Sequence, residues 1–147
     1  MQIAIGNDHR GALIKLKLQS ALKKMGHQVV DDGANEGEDC DYPDVAAVVA
    51  KRVAGGEVDR GILICGTGIG MAIAANKVPG IRATTCGDVA TAEICRRHNN
   101  VNVLCLAGEF VDQGDFEPVI QKWLETGFDG GRHERRVNKI SQMEPNC

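Results

Sequence analysis

The stretch Ile64-Cys65-Gly66-Thr67-Gly68-Ile69-Gly70-Met71 holds the residues of this chain best suited to chemistry. A thiol at the end of an apolar run becomes a base or a nucleophile once it ionises. Glycines at 66, 68 and 70 let the backbone approach a ligand closely and turn successive N–H groups inward. A helix that begins in the same loop adds partial positive charge there. Such a cradle suits an anion, either one that binds or one that develops during reaction. Thr67 puts a hydroxyl two residues from the thiol. The bland alternative is a small buried cysteine followed by a tight turn. A dinucleotide site fits poorly: the fingerprint is G-x-G-x-x-G after the first strand, with an acid about 20 residues on. Here the spacing is G-x-G-x-G, Met71 takes the final place, and three strand-like runs have already been used. No Gly-Lys-Ser/Thr follows, so the phosphate loop of nucleoside triphosphatases is excluded too.

Two further clusters invite chemistry. Asn7-Asp8-His9-Arg10-Gly11 follows an apolar run directly. Asp8 suits a helix cap, and a strand-end His9 beside it suits anion binding or proton transfer. His98, in Arg96-Arg97-His98-Asn99-Asn100, ends a helical run, where a cation gains from the helix terminus. Near the C-terminus, Arg132 and Arg136 are four residues apart, so both guanidinium groups share one helix face. They suit a phosphate through forked, charge-assisted bonds, or else form a solvated face beside Glu134. His133, Val137 and Ile140 lie on an adjacent stripe that can dock this helix. His27 has no assigned role.

The elements that must position these residues alternate between short β-like and longer helical runs. Residues 2–6, 27–33, 60–65, 81–86 and 102–108 read as strands. Ile14, Leu18, Ala21, Leu22 and Met25 form the stripe of a first helix over 12–25, stopped by Gly26. Pro43 opens a second with Val45, Val48, Val49 and Val53 on one face. A third runs from the glycine loop to about Lys77, and a fourth from an Asp88 cap to His98. Phe116, Val119, Ile120, Trp123 and Leu124 mark a fifth, and a last helix covers about 132–142. Five strands separated by helices predict an α/β fold, a three-layer α/β/α sandwich on a five-stranded parallel, Rossmann-like sheet. Ligands in such sheets bind beyond the carboxyl ends of the strands, which gathers residues 7–10, 31–33, 65–68 and 87–88 onto one edge.

Composition narrows the function. A chain of 147 residues suits a single domain over 1–147. Aromatics are 3% of residues and the net charge is -3, which argues against stacking platforms and general nucleic-acid binding. No basic leader with an apolar core follows Met1, and no apolar run is long enough to span a bilayer. Six cysteines without a C-x-x-C pair give no support for zinc or a redox dithiol. Buried free thiols in a reducing cytoplasm are expected.

Taken together, NDHRG (7–11), DYPD (41–44), GILICGTGIGMAIAANKVPGIRA (61–83), RRHNN (96–100) and GGRHERRV (130–137) resemble the ribose 5-phosphate isomerase B family, which includes allose 6-phosphate and galactose 6-phosphate isomerases. The matching stretches span almost the whole chain. The resemblance implies an aldose–ketose isomerase acting on a phosphorylated sugar through an enediolate, without cofactor or metal. It implies Cys65 as base, assisted by Thr67, with backbone groups of Gly66, Gly68, Ile69 and Gly70 holding the enediolate. A second branch of the family uses a glutamate base where this chain has Met71. His98 would open the furanose ring and Asp8 would help move protons. His9, Arg132 and Arg136 would hold the phosphate, while Tyr42 and Asn99 line the sugar.

The resemblance further implies a homodimer, with tetramers left open, whose sites lie between chains and take His98 and Asn99 from the partner. Ribose 5-phosphate is the leading substrate. A hexose 6-phosphate such as allose 6-phosphate, or a sugar-phosphate-binding module without turnover, are the alternatives. Two departures stand out. The turn Gly87-Asp88-Val89-Ala90 lacks a frequent aromatic. Glu109, in Ala107-Gly108-Glu109-Phe110, stands where the family commonly has a phosphate-binding arginine, and Arg10 is the candidate to restore the charge.

Overall fold

The structure, a computed structural model, describes residues 1–109 and 116–145; Phe110 and Cys147 lie outside them. Five strands, β1 (Gln2–Asn7), β2 (Gln28–Asp31), β3 (Arg60–Cys65), β4 (Ala83–Thr85) and β5 (Val103–Ala107), form one sheet in the order β2-β1-β3-β5-β4. Every pairing is parallel. Six helices connect and flank them: α1 (Ala12–Lys24), α2 (Tyr42–Ala54), α3 (Ile69–Ala75), α4 (Val89–Asn99), α5 (Phe116–Glu125) and α6 (Arg132–Ser141).

Alternation along the strands assigns the helices to two faces. Ile3, Ile5, Ile62, Ile64, Leu104 and Leu106 point to one side, where they bury Ile14, Leu18 and Leu22 of α1, Ala92 and Cys95 of α4, and Trp123 of α5. Ala4, Leu63, Cys65, Val103 and Cys105 point to the other, against α2 and α3. This is the expected three-layer α/β/α sandwich. The side chains that predict α2 need a correction. Its buried face is Val45, Ala46, Val49 and Ala50, while Val48 is exposed. Gly6 and Gly61 on the strands make room for its valines: an added Cβ would stand 2.6 Å from Val45 Cγ1 and 2.7 Å from Val49 Cγ1, respectively.

Strand order reverses between β1 and β3, so their carboxyl ends flank the crevice in which such folds bind ligands. Asn7, fully buried, braces this edge. Its Nδ2 donates to Asp8 O (2.8 Å) and to Ala34 O (3.1 Å), joining the ends of β1 and β2. Gly33 permits that contact: an added Cβ would stand 1.8 Å from Asn7 Oδ1 and 2.9 Å from its backbone nitrogen. Gly33→Ala is therefore expected to destabilise the fold by about 1–3 kcal/mol, read as a lowered denaturant midpoint with an unchanged slope.

Candidate active site

At the end of β3, Cys65 is 5% exposed and its Sγ accepts a hydrogen bond from Gly68 N (3.2 Å). Gly68 adopts φ 75°, a left-handed conformation that favours glycine, and so aims its N–H back at the sulfur. Thr67 Oγ1 accepts from Ile69 N (3.2 Å), so its hydroxyl braces the turn rather than the sulfur. Met71 is fully buried against the sheet. Gly70 lies under the ring of Tyr42, whose Cε2 is 2.6 Å from where a Cβ would stand. The aromatic ring from the start of α2 thus covers the loop.

The end of β1 supplies the opposite wall. Asp8 is buried and its Oδ1 accepts from Arg10 N (2.9 Å), capping the short 3-10 turn His9–Gly11. Asp8 N donates to Ile64 O (3.2 Å), which ties this turn to β3 one residue before the cysteine. His9 lines a cleft of about 420 Å³ with Asp39, Cys40 and Asp41. Arg10 does not stand free as a replacement phosphate ligand: its Nη1 pairs with Glu109 Oε1. The carboxylate expected to repel a phosphate is thus held by a cation.

His98, Asn99, Arg132 and Arg136 lie elsewhere in the same chain. Helix α4 starts beyond the carboxyl end of β4, capped by Asp88 Oδ1 accepting from Thr91 N (2.8 Å), and runs back along the sheet. Its 11 residues cover about 16 Å at 1.5 Å per residue, so His98 sits at the amino edge while Cys65 sits at the carboxyl edge. There His98 stacks on His133 of α6, with ring centroids 4.1 Å apart and planes 5° from parallel. Arg132 Nε donates to His133 Nε2 (3.4 Å), and Arg97 pairs with Asp129 (3.2 Å) and with Glu93 (3.5 Å). Arg96 Nε reaches Thr126 O (3.3 Å), holding the loop before α6 against α4. Sequence reasoning treats His133 only as docking surface and overlooks Arg97, Asp129 and the stacking. Ring pairing between residues 35 positions apart leaves no local pattern. Of the docking stripe, His133 and Val137 are buried and Ile140 is not.

His98, Asp129 and His133 offer ligand atoms within 4.8 Å of one another. Parallel rings do not aim their lone pairs at a common point, and Arg97 and Arg132 already engage Asp129 and His133. The set is held together by stacking and ion pairing.

Burial, then His98, Arg132 and Arg136, holds the His133 imidazole below its ordinary range, with Asp129 acting weakly the other way. The sign of the stability effect follows. Above about pH 6.5 the ring is neutral in both the folded and unfolded chains. Below it, the unfolded chain takes up a proton that the fold resists, so stability falls on acidification. Thermal unfolding between pH 8 and 5 is expected to drop more steeply in the wild type than in His133→Gln.

A family model described as Ribose/Galactose Isomerase matches residues 3–140. The chain is 44% identical to the ribose-5-phosphate isomerase B of Escherichia coli, over 97% of this chain and 96% of that protein. Among solved structures, ribose-5-phosphate isomerase B of Clostridium thermocellum superposes with a TM-score of 0.95 at 46% identity, covering 97% of both chains. The Mycoplasma genitalium ribose-5-phosphate isomerase B with bound ribulose-5-phosphate superposes with a TM-score of 0.90 at 42% identity, covering 96% of this chain and 94% of that one.

Proposed function

The chain belongs to the ribose/galactose isomerase family, and from that premise we propose that it interconverts ribose 5-phosphate and ribulose 5-phosphate with Cys65 as the base. The observation that carries this reading is the Sγ of Cys65 held by Gly68 N at the switch point between β1 and β3. Once the ring is open, the sulfur anion takes the C2 proton of the aldose. Charge passes to the carbonyl oxygen, where backbone N–H groups of the loop from Gly66 to Gly70 receive it. The thiol, whose proton exchanges with solvent, then delivers a proton to C1 while the O2 hydroxyl proton passes to O1, giving the ketose with no net change in atoms. Interactions of this kind act on the transition state, and losing one donor typically costs about 3 kcal/mol.

His98 opens the furanose ring and Asp8 assists proton movement beside Cys65. His9, Arg132 and Arg136 take the phosphate, with Asn99 and Tyr42 against the sugar. Because Cys65 and His98 occupy opposite edges of one sheet, a working site takes one group from each of two copies. The expected assembly is a homodimer, with α6 completing the partner's site. An apolar surface around the loop supports this: Ile69 and Ile73, four residues apart on α3, are 57% and 58% exposed, and the Tyr42 ring lies beside them. The described cysteines carry free thiols, which suit a reducing cytoplasm. No described helix is long and apolar enough to cross a membrane.

The test is a panel of five- and six-carbon sugar phosphates compared by kcat/KM. Ribose 5-phosphate is expected to lead. A higher value for allose 6-phosphate moves the assignment to that sugar, and saturable binding without turnover of any member makes the protein a binding module.

A further inference from the structure

The Arg10–Glu109 pair lies against the loop that carries Cys65. Gly108 N donates to Cys65 O (2.7 Å) and Glu109 N donates to Gly66 O (3.0 Å), so the strand-end segments after β3 and β5 are bonded together. Those bonds hold the Glu109 carboxyl group over the loop, with both oxygens 3.3 Å from where a Cβ on Gly66 would stand. A carboxylate there opposes any negative charge forming on the sulfur or beside it. Arg10, on the turn after β1, meets that carboxylate from the far side of the crevice. Both side chains are half exposed, so the pair adds little to stability. Its consequence is local: with Arg10 present the two charges cancel over Gly66, the residue after Cys65, and without it a bare anion remains there.

We propose that Arg10 is a positioning residue that neutralises Glu109, so that the two side chains set the local charge felt by the Cys65 anion and the enediolate. The inference rests on the assignment of Cys65 as base. Arg10 acts here through Glu109, not by touching the sugar.

The test uses four full-length proteins: wild type, Arg10→Ala, Glu109→Gln and the double variant. Arg10→Ala is expected to lower kcat/KM on the order of tenfold at low ionic strength. The loss shrinks at about 0.5 M salt, since exposed charges are screened. Glu109→Gln stays at or above wild type, and the double variant returns to within about twofold of wild type, as a mutually cancelling pair requires. If the double variant stays as low as Arg10→Ala, Arg10 contacts the substrate itself and the proposal falls. Equal activity in all four overturns it as well.

A second readout separates this inference from the isomerase assignment. Alkylation of Cys65, followed by peptide mass, is compared for anionic iodoacetate and neutral iodoacetamide. The iodoacetate-to-iodoacetamide rate ratio should fall in Arg10→Ala, rise in Glu109→Gln and recover in the double variant. That ordering in a protein without turnover would sink the isomerase reading and leave the charge pair standing. A ratio unmoved across the four proteins would sink the charge pair alone.

Discussion

Cys65→Ala is expected to lower kcat by about three orders of magnitude while the dissociation constant for ribose 5-phosphate changes by less than about threefold. The thiol is nearly buried and its one polar contact among the described residues is the N–H of Gly68, so the sulfur is expected to contribute little to holding the sugar. In the proposed mechanism its work falls in the proton-transfer step, where a thousandfold loss corresponds to about 4 kcal/mol. Met71 is buried, Thr67 is committed to Ile69 N, and Asp8 accepts from Arg10 N. Neither Met71 nor the Thr67 hydroxyl offers a replacement base, and Asp8 is assigned only an assisting role. The small void left by the sulfur should cost only about 1 kcal/mol in stability, so circular dichroism and a thermal scan distinguish lost chemistry from lost folding. A variant that retains more than a tenth of wild-type kcat would move the base elsewhere.

The second large effect concerns two copies acting together. Cys65→Ala and His98→Ala are each expected to be nearly inactive alone, yet active once mixed by co-expression. In a symmetric dimer whose sites each take Cys65 from one chain and His98 from the other, a mixed dimer holds one intact and one doubly broken site. Random pairing makes half the dimers mixed, so about a quarter of wild-type activity should return. Stacking against His133 holds His98 at the amino edge of its own sheet, so the restored site cannot form within one chain. Mixtures that stay inactive would mean that both groups serve one chain, or that His98 has no part in turnover.

Much of this arrangement was legible because short apolar strand runs take turns with longer helical segments along the chain. Arg60–Cys65 begins and ends where an apolar run bounded by Arg60 and Gly66 says it should, and Asp88 caps α4 as its position predicts. β4 is shorter than 81–86 because the residues before it belong to a turn: Ile81 N donates to Val78 O, and Arg82 N is taken by Asn102 Oδ1. The glycine loop could be read as an anion cradle from its spacing, since glycine there answers a backbone requirement. Contacts between distant segments leave no such trace. The Arg10–Glu109 pair joins residues 99 apart. The stacking of His98 on His133 depends on how α6 packs on α4, and the same helix faces could equally have met solvent. The sequence-based resemblance places His98 and the arginines with Cys65, whereas in this chain helix α4 carries His98 away from the edge where the thiol sits, which is the ground for the proposed dimer.

Ribose 5-phosphate deuterated at C2, incubated with stoichiometric protein in ordinary water, tests the central claim most directly. Wild-type protein should release the label to solvent as the ketose forms. Cys65→Ala should bind the sugar and leave the label in place, and release from that variant at the wild-type rate would contradict the role given to the sulfur.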